Sequence, residues 1–212
     1  MLYLTLKRLV DIFGAIIGLI IFSPLFLIVA IAIKLTSEGP IFADTPMRVG
    51  KDGKLFRMYK FRSMVAGAHN MLYNDPKMKK MLEELKKNSY KLVDDPRVTP
   101  VGKFIRKTTL DELPQFINVL KGDMSLVGHR AYYEFELEEQ QEKYPQSKGF
   151  VKTILSSKPG ITGVWQVSGR SNINFDKRVE MDAEYIHKRS VGYDIMIILR
   201  TIPAVLSTRG AI

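Results

Sequence analysis

The sequence predicts a helix-rich α+β fold. Residues 1–38 read as a re-entrant membrane segment, helix–break–helix. Residues 39–212 read as a domain on one side of the membrane, carrying interfacial amphipathic helices. Three observations predict this. No charged residue occurs across positions 12–33, and a membrane-spanning helix needs roughly 20 apolar residues. Ser23-Pro24 interrupts that run near its middle, where proline removes a backbone donor and crowds the preceding turn. Downstream, apolar residues recur mostly at helical spacing and strand-like alternation is brief.

The charges around the apolar run give the anchor its predicted shape. Lys7 and Arg8 precede it and Lys34 follows, whereas a simple span keeps its positive charge mainly on one side. A central break with cations at both ends predicts a hairpin that returns to the face it entered; a kinked full span is the alternative. The Ser23 hydroxyl is placed to satisfy a backbone group that Pro24 frees. A cleavable signal peptide is disfavoured by the length of the run and by the lack of a small-residue cleavage site before Lys34. A buried core helix is disfavoured because a domain this small rarely needs so continuous an apolar stretch.

The remaining elements follow in order. Glu38-Gly39-Pro40 is a turn signal that ends the apolar segment. Asp52-Gly53 reads as a hairpin turn and residues 54–61 as a short strand. Residues 70–92 read as one helix, with Met78, Met81, Leu82 and Leu85 on one face and lysines on the other. It either packs on the core or lies on anionic lipid. Residues 93–97 read as a loop and residues 102–108 as a basic stretch. Residues 114–120 form a short helix stopped by Lys121-Gly122, and residues 134–144 an acidic helix stopped by Pro145. Residues 157–170 are rich in turns, and residues 178–188 form another helix. Residues 191–206 are apolar but carry Asp194, Arg200 and Pro203. They are too short to span and are expected to dock on the protein or at the interface. No repeat, low-complexity tract or interdomain linker is visible.

Composition bounds the partners. With 32 Lys plus Arg against 22 Asp plus Glu, the 212-residue chain carries a formal charge of +10. This favours anionic lipids, phosphorylated substrates or nucleic acid. Nucleic acid is not expected, because there is neither a recognised motif nor a dense basic cluster. The absence of cysteine excludes disulfides and thiolate metal sites and fits a cytoplasmic-side protein. His69, His129 and His187 show no metal-ligand spacing, and neither a Walker glycine loop nor a dinucleotide fingerprint is present.

Chemistry concentrates in four segments. Asp111-Glu112 places two carboxylates just ahead of a helix. Thr109-x-x-Glu112 matches a capping box. If Pro114 instead begins the helix, both acids lie on the preceding turn, where the helix dipole favours their ionised forms. An ionised Asp there can attack phosphorus or hold Mg2+ through its oxygens. Lys60-Phe61-Arg62-Ser63-Met64 sets two cations around a hydroxyl, a phosphate-binding composition or an ordinary strand end. Residues 122–130 add Asp123, two glycines, His129 and Arg130. Residues 159–170 hold Trp165, the only tryptophan, with three glycines, Gln166 and Arg170. Such a loop can stack a base or sugar and bind phosphate through backbone amides, or be a tightly turned structural loop.

In this order, these segments resemble the bacterial sugar transferase family, the monotopic polyprenyl-phosphate sugar-1-phosphate transferases. The resemblance runs from Lys7-Arg8-Leu9-Val10-Asp11 and Ser23-Pro24 through Gly39-Pro40, Lys60-Phe61-Arg62-Ser63-Met64, Leu110-Asp111-Glu112-Leu113-Pro114-Gln115 and Lys121-Gly122-Asp123-Met124-Ser125-Leu126-Val127-Gly128. It continues over residues 159–170 to Tyr193-Asp194-Ile195 and Gly210-Ala211. The chain is similar to the family's minimal catalytic form, without the extra N-terminal spans of longer relatives.

The resemblance implies transfer of a sugar-1-phosphate from a UDP-sugar to undecaprenyl phosphate with release of UMP, the step that initiates exopolysaccharide, capsule, O-antigen or glycan assembly. It implies Mg2+, membrane lipid as a partner, and a cytoplasmic catalytic domain at the bacterial inner membrane; homo-oligomer formation stays open. By matched position, Asp111 would be the nucleophile that forms a covalent phospho-sugar intermediate, and Glu112 would assist, the two also holding the metal. Lys60, Arg62 and Arg106 would neutralise phosphate charge, Asp123 would be a further acid, Arg130 would bind phosphate, and Gln166 and Arg170 would lie near the nucleotide or sugar. Two rival functions are a direct transferase on lipid phosphate without a covalent intermediate, and a non-enzymatic, basic, membrane-anchored binding protein.

One departure stands out. Gly128-His129-Arg130-Ala131 occupies the place where the family commonly has Gly-Pro-Arg-Pro. Loss of both prolines predicts a more mobile loop, and His129 is expected to add a pH-dependent phosphate contact.

Overall fold

The computed structural model describes residues 2–87, 95–169 and 173–207. The C-terminal end of the helix expected over residues 70–92, together with Arg170 and Gly210-Ala211, lies outside the described residues.

Helix α1 (Leu2–Thr36) is continuous and carries Pro24 inside it. By length and composition it could cross a membrane. The expected break is therefore corrected: one helix runs through the proline. Pro24 has no N–H to offer the Ile20 carbonyl, and the Ser23 hydroxyl donates to that carbonyl at 2.8 Å. The carbonyl the proline abandons is thus satisfied within the helix.

After α1, strands β1 (Arg48–Val49) and β2 (Leu55–Phe56) pair antiparallel. Asp52 and Gly53 supply the positive φ angles of the turn between them, 56° and 78°. The expected strand over residues 54–61 shrinks to Leu55–Phe56 plus an isolated bridge from Phe61 to Phe42. The long helix expected next is divided into α2 (Ala68–Asn74) and α3 (Lys79–Lys87). The Asp75 side chain accepts from the Lys77 amide at 2.9 Å, and Pro76 starts a new turn there. Helix α4 (Pro100–Lys107) occupies the basic stretch. Thr99 caps it by accepting from the Gly102 amide at 2.9 Å.

Helix α5 (Gln115–Lys121) ends at Gly122 in the left-handed region, φ 88°. Strand β3 (Ser125–Val127) pairs in parallel with β4 (Gly160–Thr162), in register Ser125 with Gly160 and Val127 with Thr162. Between them lie α6 (Glu134–Lys143) and α7 (Lys148–Ile154). Beyond β4, α8 (Val164–Ser168) lies in the segment read as rich in turns. Helices α9 (Phe175–Lys188) and α10 (Val191–Leu206) complete the described chain.

Helix α1 belongs to the core at both of its halves. Ala15 joins Val119, Met124, Leu126 and Ile197, whereas Val29 and Ile33 join Phe61 and Ile105. Gly14 and Gly18 let the chain approach closely: a Cβ at Gly18 would lie 2.6 Å from the Phe116 ring. A third cluster unites Val49, Tyr132, Ile154, Phe175 and Val179.

Polar contacts fix both ends of α1. Buried Asp11 accepts from the Ser125 hydroxyl at 2.9 Å and the Leu126 amide at 3.0 Å. Lys7 bridges Asp11 at 3.3 Å and Asp194 of α10 at 3.1 Å. Arg8 donates to the Val119 and Leu120 carbonyls that end α5, at 2.6 and 2.9 Å. At the other end, Arg62 donates to the Ser37 carbonyl at 2.9 Å and to the Glu38 carbonyl. Buried charges persist when paired and hydrogen-bonded in this way. The rest of α1 exposes a broad apolar surface that includes Phe13, Ile17, Ile20, Ile21 and Leu27. Helix α10 does as expected of a docked segment: Ile197 is buried, while Ile195, Leu199, Ile202 and Leu206 share an exposed face.

Candidate active site

The site begins with a strained turn. Thr109, at the end of the α4 connection, adopts φ 61°. This region is unfavourable for a β-branched residue and persists only where surrounding structure enforces it. The reversal turns the chain into a short 3-10 segment, Leu110–Glu112, with Pro114 at the cap of α5. The Thr109 side chain makes no capping bond, so the capping-box reading falls. Both acids instead occupy the turn just ahead of the helix.

A backbone bond aligns the opposing cation. The Phe61 amide donates to the Asp111 carbonyl at 2.9 Å, which brings Lys60 beside both carboxylates. Its Nζ lies 3.4 Å from Asp111 Oδ2 and 2.8 Å from Glu112 Oε1. The next residues explain the rest of this motif. Phe61 packs edge-on against Phe26 of α1, with ring centroids 5.3 Å apart. Arg62 grips Ser37 and Glu38 rather than facing the carboxylates. Its terminal nitrogens hold the end of α1, and the residue also lines the cavity that opens over the acids; the phosphate-neutralising role expected of it remains a proposal. Gly39 sits against this guanidinium with φ 110°, a place and a conformation closed to a side chain.

Asp111 is 7% exposed. Burial pushes its pKa up, and the neighbouring Glu112 charge adds to this; Lys60 and Arg106 oppose the rise without reversing it. For Glu112 the balance falls the other way. Burial alone would raise its pKa, but the Lys60 ion pair, helped by Arg130 and Arg48, holds it below the ordinary value. Burial likewise works against the Lys60 charge, yet the two carboxylates outweigh it and raise its pKa. The environments thus push two adjacent acids apart, a pattern that separates chemical roles.

A cavity of about 860 Å³ opens over the pair. Arg106, from the last turn of α4, and Arg130, from the segment after β3, line it as expected. Arg48 does too, although nothing in its sequence context marked it. It is buried, lies 3.3 Å above the Tyr133 ring centroid and donates to the Ala131 carbonyl at 3.1 Å. Gln166 lines the cavity from α8, and its Oε1 is buried without a hydrogen-bond partner among the described residues. Trp165 also reaches the wall. Arg178 lies 4.5 Å from its ring centroid and Arg130 5.9 Å from it, so cations face the ring that was expected to stack a base or sugar.

Two expectations are displaced. Asp123 lies at the far end of α5, accepting from Asn118 Nδ2 at 3.2 Å and 3.9 Å from Lys121. It is not among the residues that line the cavity; it closes the helix end rather than joining the acid pair. His129 is 0% exposed, with Nδ1 2.7 Å from the Arg130 carbonyl and Nε2 3.2 Å from the Ser157 carbonyl. Burial lowers its pKa. Both ring nitrogens face backbone carbonyls rather than the cavity, whose lining does not include His129, so the expected phosphate contact is not made. Loss of the two prolines is also compensated. The His129, Ala131 and Tyr132 carbonyls accept from the Gly160 amide, Arg48 and the Val49 amide, and the Arg130 carbonyl meets His129.

The donor set can be tested against Mg2+. No group of three or more acid or histidine ligands occurs among the described residues. Mg2+ is, however, usually held by one or two carboxylates together with substrate phosphates and water. Lys60 engages Asp111 Oδ2 and Glu112 Oε1. Oδ1 and Oε2 have no ion-pair partner among the described residues, so two hard oxygens fit such an ion.

The charge balance makes a prediction. Carboxyl 13C NMR titration should find the Asp111 pKa higher still in Lys60→Met, which removes the principal opposing charge. It should be lower in Glu112→Gln, which removes the like charge. Opposite movements would contradict the assigned causes.

Comparison with known proteins places this geometry in a family. The bacterial sugar transferase model matches residues 2–208. The chain is 47% identical over 210 residues to the galactosyl transferase CpsE of Streptococcus agalactiae, covering 99% of this chain and 44% of that protein. It is 41% identical to the exopolysaccharide production protein ExoY of Sinorhizobium fredii, covering 97% and 87% of the two chains. It is also 42% identical to the UDP-glucose:undecaprenyl-phosphate glucose-1-phosphate transferase of Escherichia coli, covering 93% and 39%. The chain therefore spans less than half the length of several relatives, including CpsE, and most of the length of ExoY. With the match running nearly end to end, the chain belongs to the bacterial sugar transferase family.

Proposed function

We propose that this protein transfers a sugar-1-phosphate from a UDP-sugar to undecaprenyl phosphate, releasing UMP, as the initiating step of exopolysaccharide, capsule, O-antigen or glycan assembly. The observation that carries the reading is the pair formed by buried Asp111 and half-buried Glu112. It shares one Lys60 ammonium at the wall of a cavity ringed by Arg48, Arg106 and Arg130. Such an array suits a substrate whose reacting centre is a diphosphate. The E. coli relative's name specifies these two substrate classes, with glucose as its sugar.

In this reading an Asp111 oxygen attacks the sugar-bearing phosphorus. The bond from that phosphorus to the bridging oxygen breaks, and UMP leaves with the bridging oxygen. A phosphate oxygen of undecaprenyl phosphate then attacks the same phosphorus and displaces Asp111, regenerating the carboxylate. The elevated Asp111 pKa makes its carboxylate more basic than an ordinary one, while Glu112 stays ionised beside it. Lys60 holds both acids in place and Arg106 and Arg130 offset phosphate charge as it develops. Mg2+, held by Asp111 and Glu112 with the donor phosphates, would supply further charge neutralisation when bound.

The membrane reading rests on α1 and α10. The cavity wall includes Phe22 of α1, Phe116 of α5, and Ala204 and Val205 of α10, an apolar side suited to a lipid-borne phosphate. Both ends of α1 contact the elements that hold the site. Both halves of α1 also pack on the domain that carries the site, Ala15 on one side of Pro24 and Val29 and Ile33 on the other. Neither half is free to be ringed by lipid, which supports a one-face anchor on the cytoplasmic side of the inner membrane over a full span.

Two measurements test the proposal. The chain has no cysteine, so single cysteines at Leu2 and Thr36 can be probed with an impermeant maleimide. Both should react in inverted vesicles and neither in intact spheroplasts; labelling of one end from outside would establish a span. For the chemistry, detergent-purified enzyme mixed with Mg2+ and single UDP-sugars, without lipid acceptor, should gain the mass of one sugar phosphate and release UMP. Asp111→Asn should show no adduct and lose more than about 1000-fold in turnover. Full turnover by that variant would favour direct displacement.

A further inference from the structure

We propose that His129 is a positioning residue for Arg130, holding the arginine's backbone at the cavity wall through a side-chain contact to its carbonyl. The inference rests on the donor-binding role proposed for Arg130, and it concerns the position where this chain departs from the family pattern.

The geometry is local and specific. His129 is wholly buried, and its Nδ1 lies 2.7 Å from the carbonyl oxygen of the residue it precedes. Its Nε2 faces the Ser157 carbonyl at 3.2 Å. A neutral imidazole has one N–H, and the shorter contact is where that proton belongs, donated from Nδ1 to the Arg130 carbonyl. The backbone of His129 is tied as well, since its carbonyl accepts from the Gly160 amide at 2.8 Å. His129 thus links the segment after β3 to the segment before β4, and Arg130 emerges from that link into the cavity. On the following residue, the Ala131 carbonyl accepts from Arg48. Where a proline would restrict the backbone covalently, this chain holds it by hydrogen bonds.

The contact has a consequence for binding. A guanidinium meets phosphate with fixed donor directions, so a small shift of the Arg130 backbone misaims it. Removing the imidazole frees the Arg130 carbonyl to rotate and leaves the guanidinium charged but poorly placed. His129→Ala and Arg130→Ala should then impair the same step, and their effects should not multiply.

The test uses UDP as probe, since its binding does not require knowledge of the sugar. Titration calorimetry of the full-length protein in detergent would compare the original chain, His129→Ala, Arg130→Ala, the double variant and His129→Asn. Arg130→Ala is expected to weaken UDP binding at least about tenfold. His129→Ala should weaken it about fivefold, the scale of one hydrogen bond. The double variant should match Arg130→Ala within about twofold. His129→Asn, which keeps an N–H near the Nδ1 position, should recover most of the loss.

Thermal unfolding of each variant separates positioning from folding: the ranking of UDP affinities should persist among variants with equal melting temperatures. Binding in His129→Ala equal to that of the original chain, multiplicative losses in the double variant, or no recovery in His129→Asn would overturn the inference. An original chain that does not bind UDP would instead overturn the functional reading on which it rests.

Discussion

One ammonium group shared by two adjacent carboxylates, Asp111 buried and Glu112 half-buried, is the interaction on which the rest of this structure depends. Adjacent acids repel, and burial penalises each charge. Lys60 resolves the conflict only if it is delivered to both oxygens at once. The chain does this with backbone: the Phe61 amide bonds to the Asp111 carbonyl, so the lysine's position is set by main chain rather than by a flexible side chain. Thr109 accepts an unfavourable conformation so that the acids meet it. The strain lies at the entrance to the reactive turn, where such strain is most often kept.

The same constraint makes the long apolar helix part of the site. Phe61 is anchored on Phe26, and Arg62 holds the carbonyls that follow α1. At the opposite end, Asp11 and Lys7 join α1 to β3 and α10, and Arg8 closes α5. Since α5 begins just after Glu112, the helix that carries the apolar surface also grips both ends of the segment bearing the acids. The long apolar helix and the candidate site therefore form one mechanical unit.

The sequence disclosed the parts whose signals are local. The apolar run, the Asp52-Gly53 hairpin, the Gly122 helix stop and the α9 and α10 helices were readable from charge gaps, turn chemistry and periodicity. The acid pair was readable as a site because two carboxylates ahead of a helix are unusual in a basic chain. Features that depend on distant partners were not. Pro24 signals a break, but the hydroxyl beside it repairs the ladder. Arg62 and Asp123 carry charges that suit a phosphate site, yet the end of α1 holds the first and the adjacent end of α5 the second. Arg48 carries no local signal at all; only the fold brings it to Tyr133 and the cavity. His129 is polar in sequence and buried in fact, because the β3–β4 pairing closes over it.

The central claim is that Asp111 carries the sugar phosphate between two displacements, and isotope exchange tests it most directly. Enzyme in lipid-free detergent micelles would be incubated with unlabelled UDP-sugar, Mg2+ and radiolabelled UMP, with no polyprenyl phosphate present. A two-step route through Asp111 predicts that label enters the UDP-sugar pool, because UMP can attack the phospho-enzyme and reverse the first step, and that Asp111→Asn abolishes the exchange. Absence of exchange from an enzyme that turns over normally once polyprenyl phosphate is supplied would contradict the claim and point to single-step transfer between the two substrates.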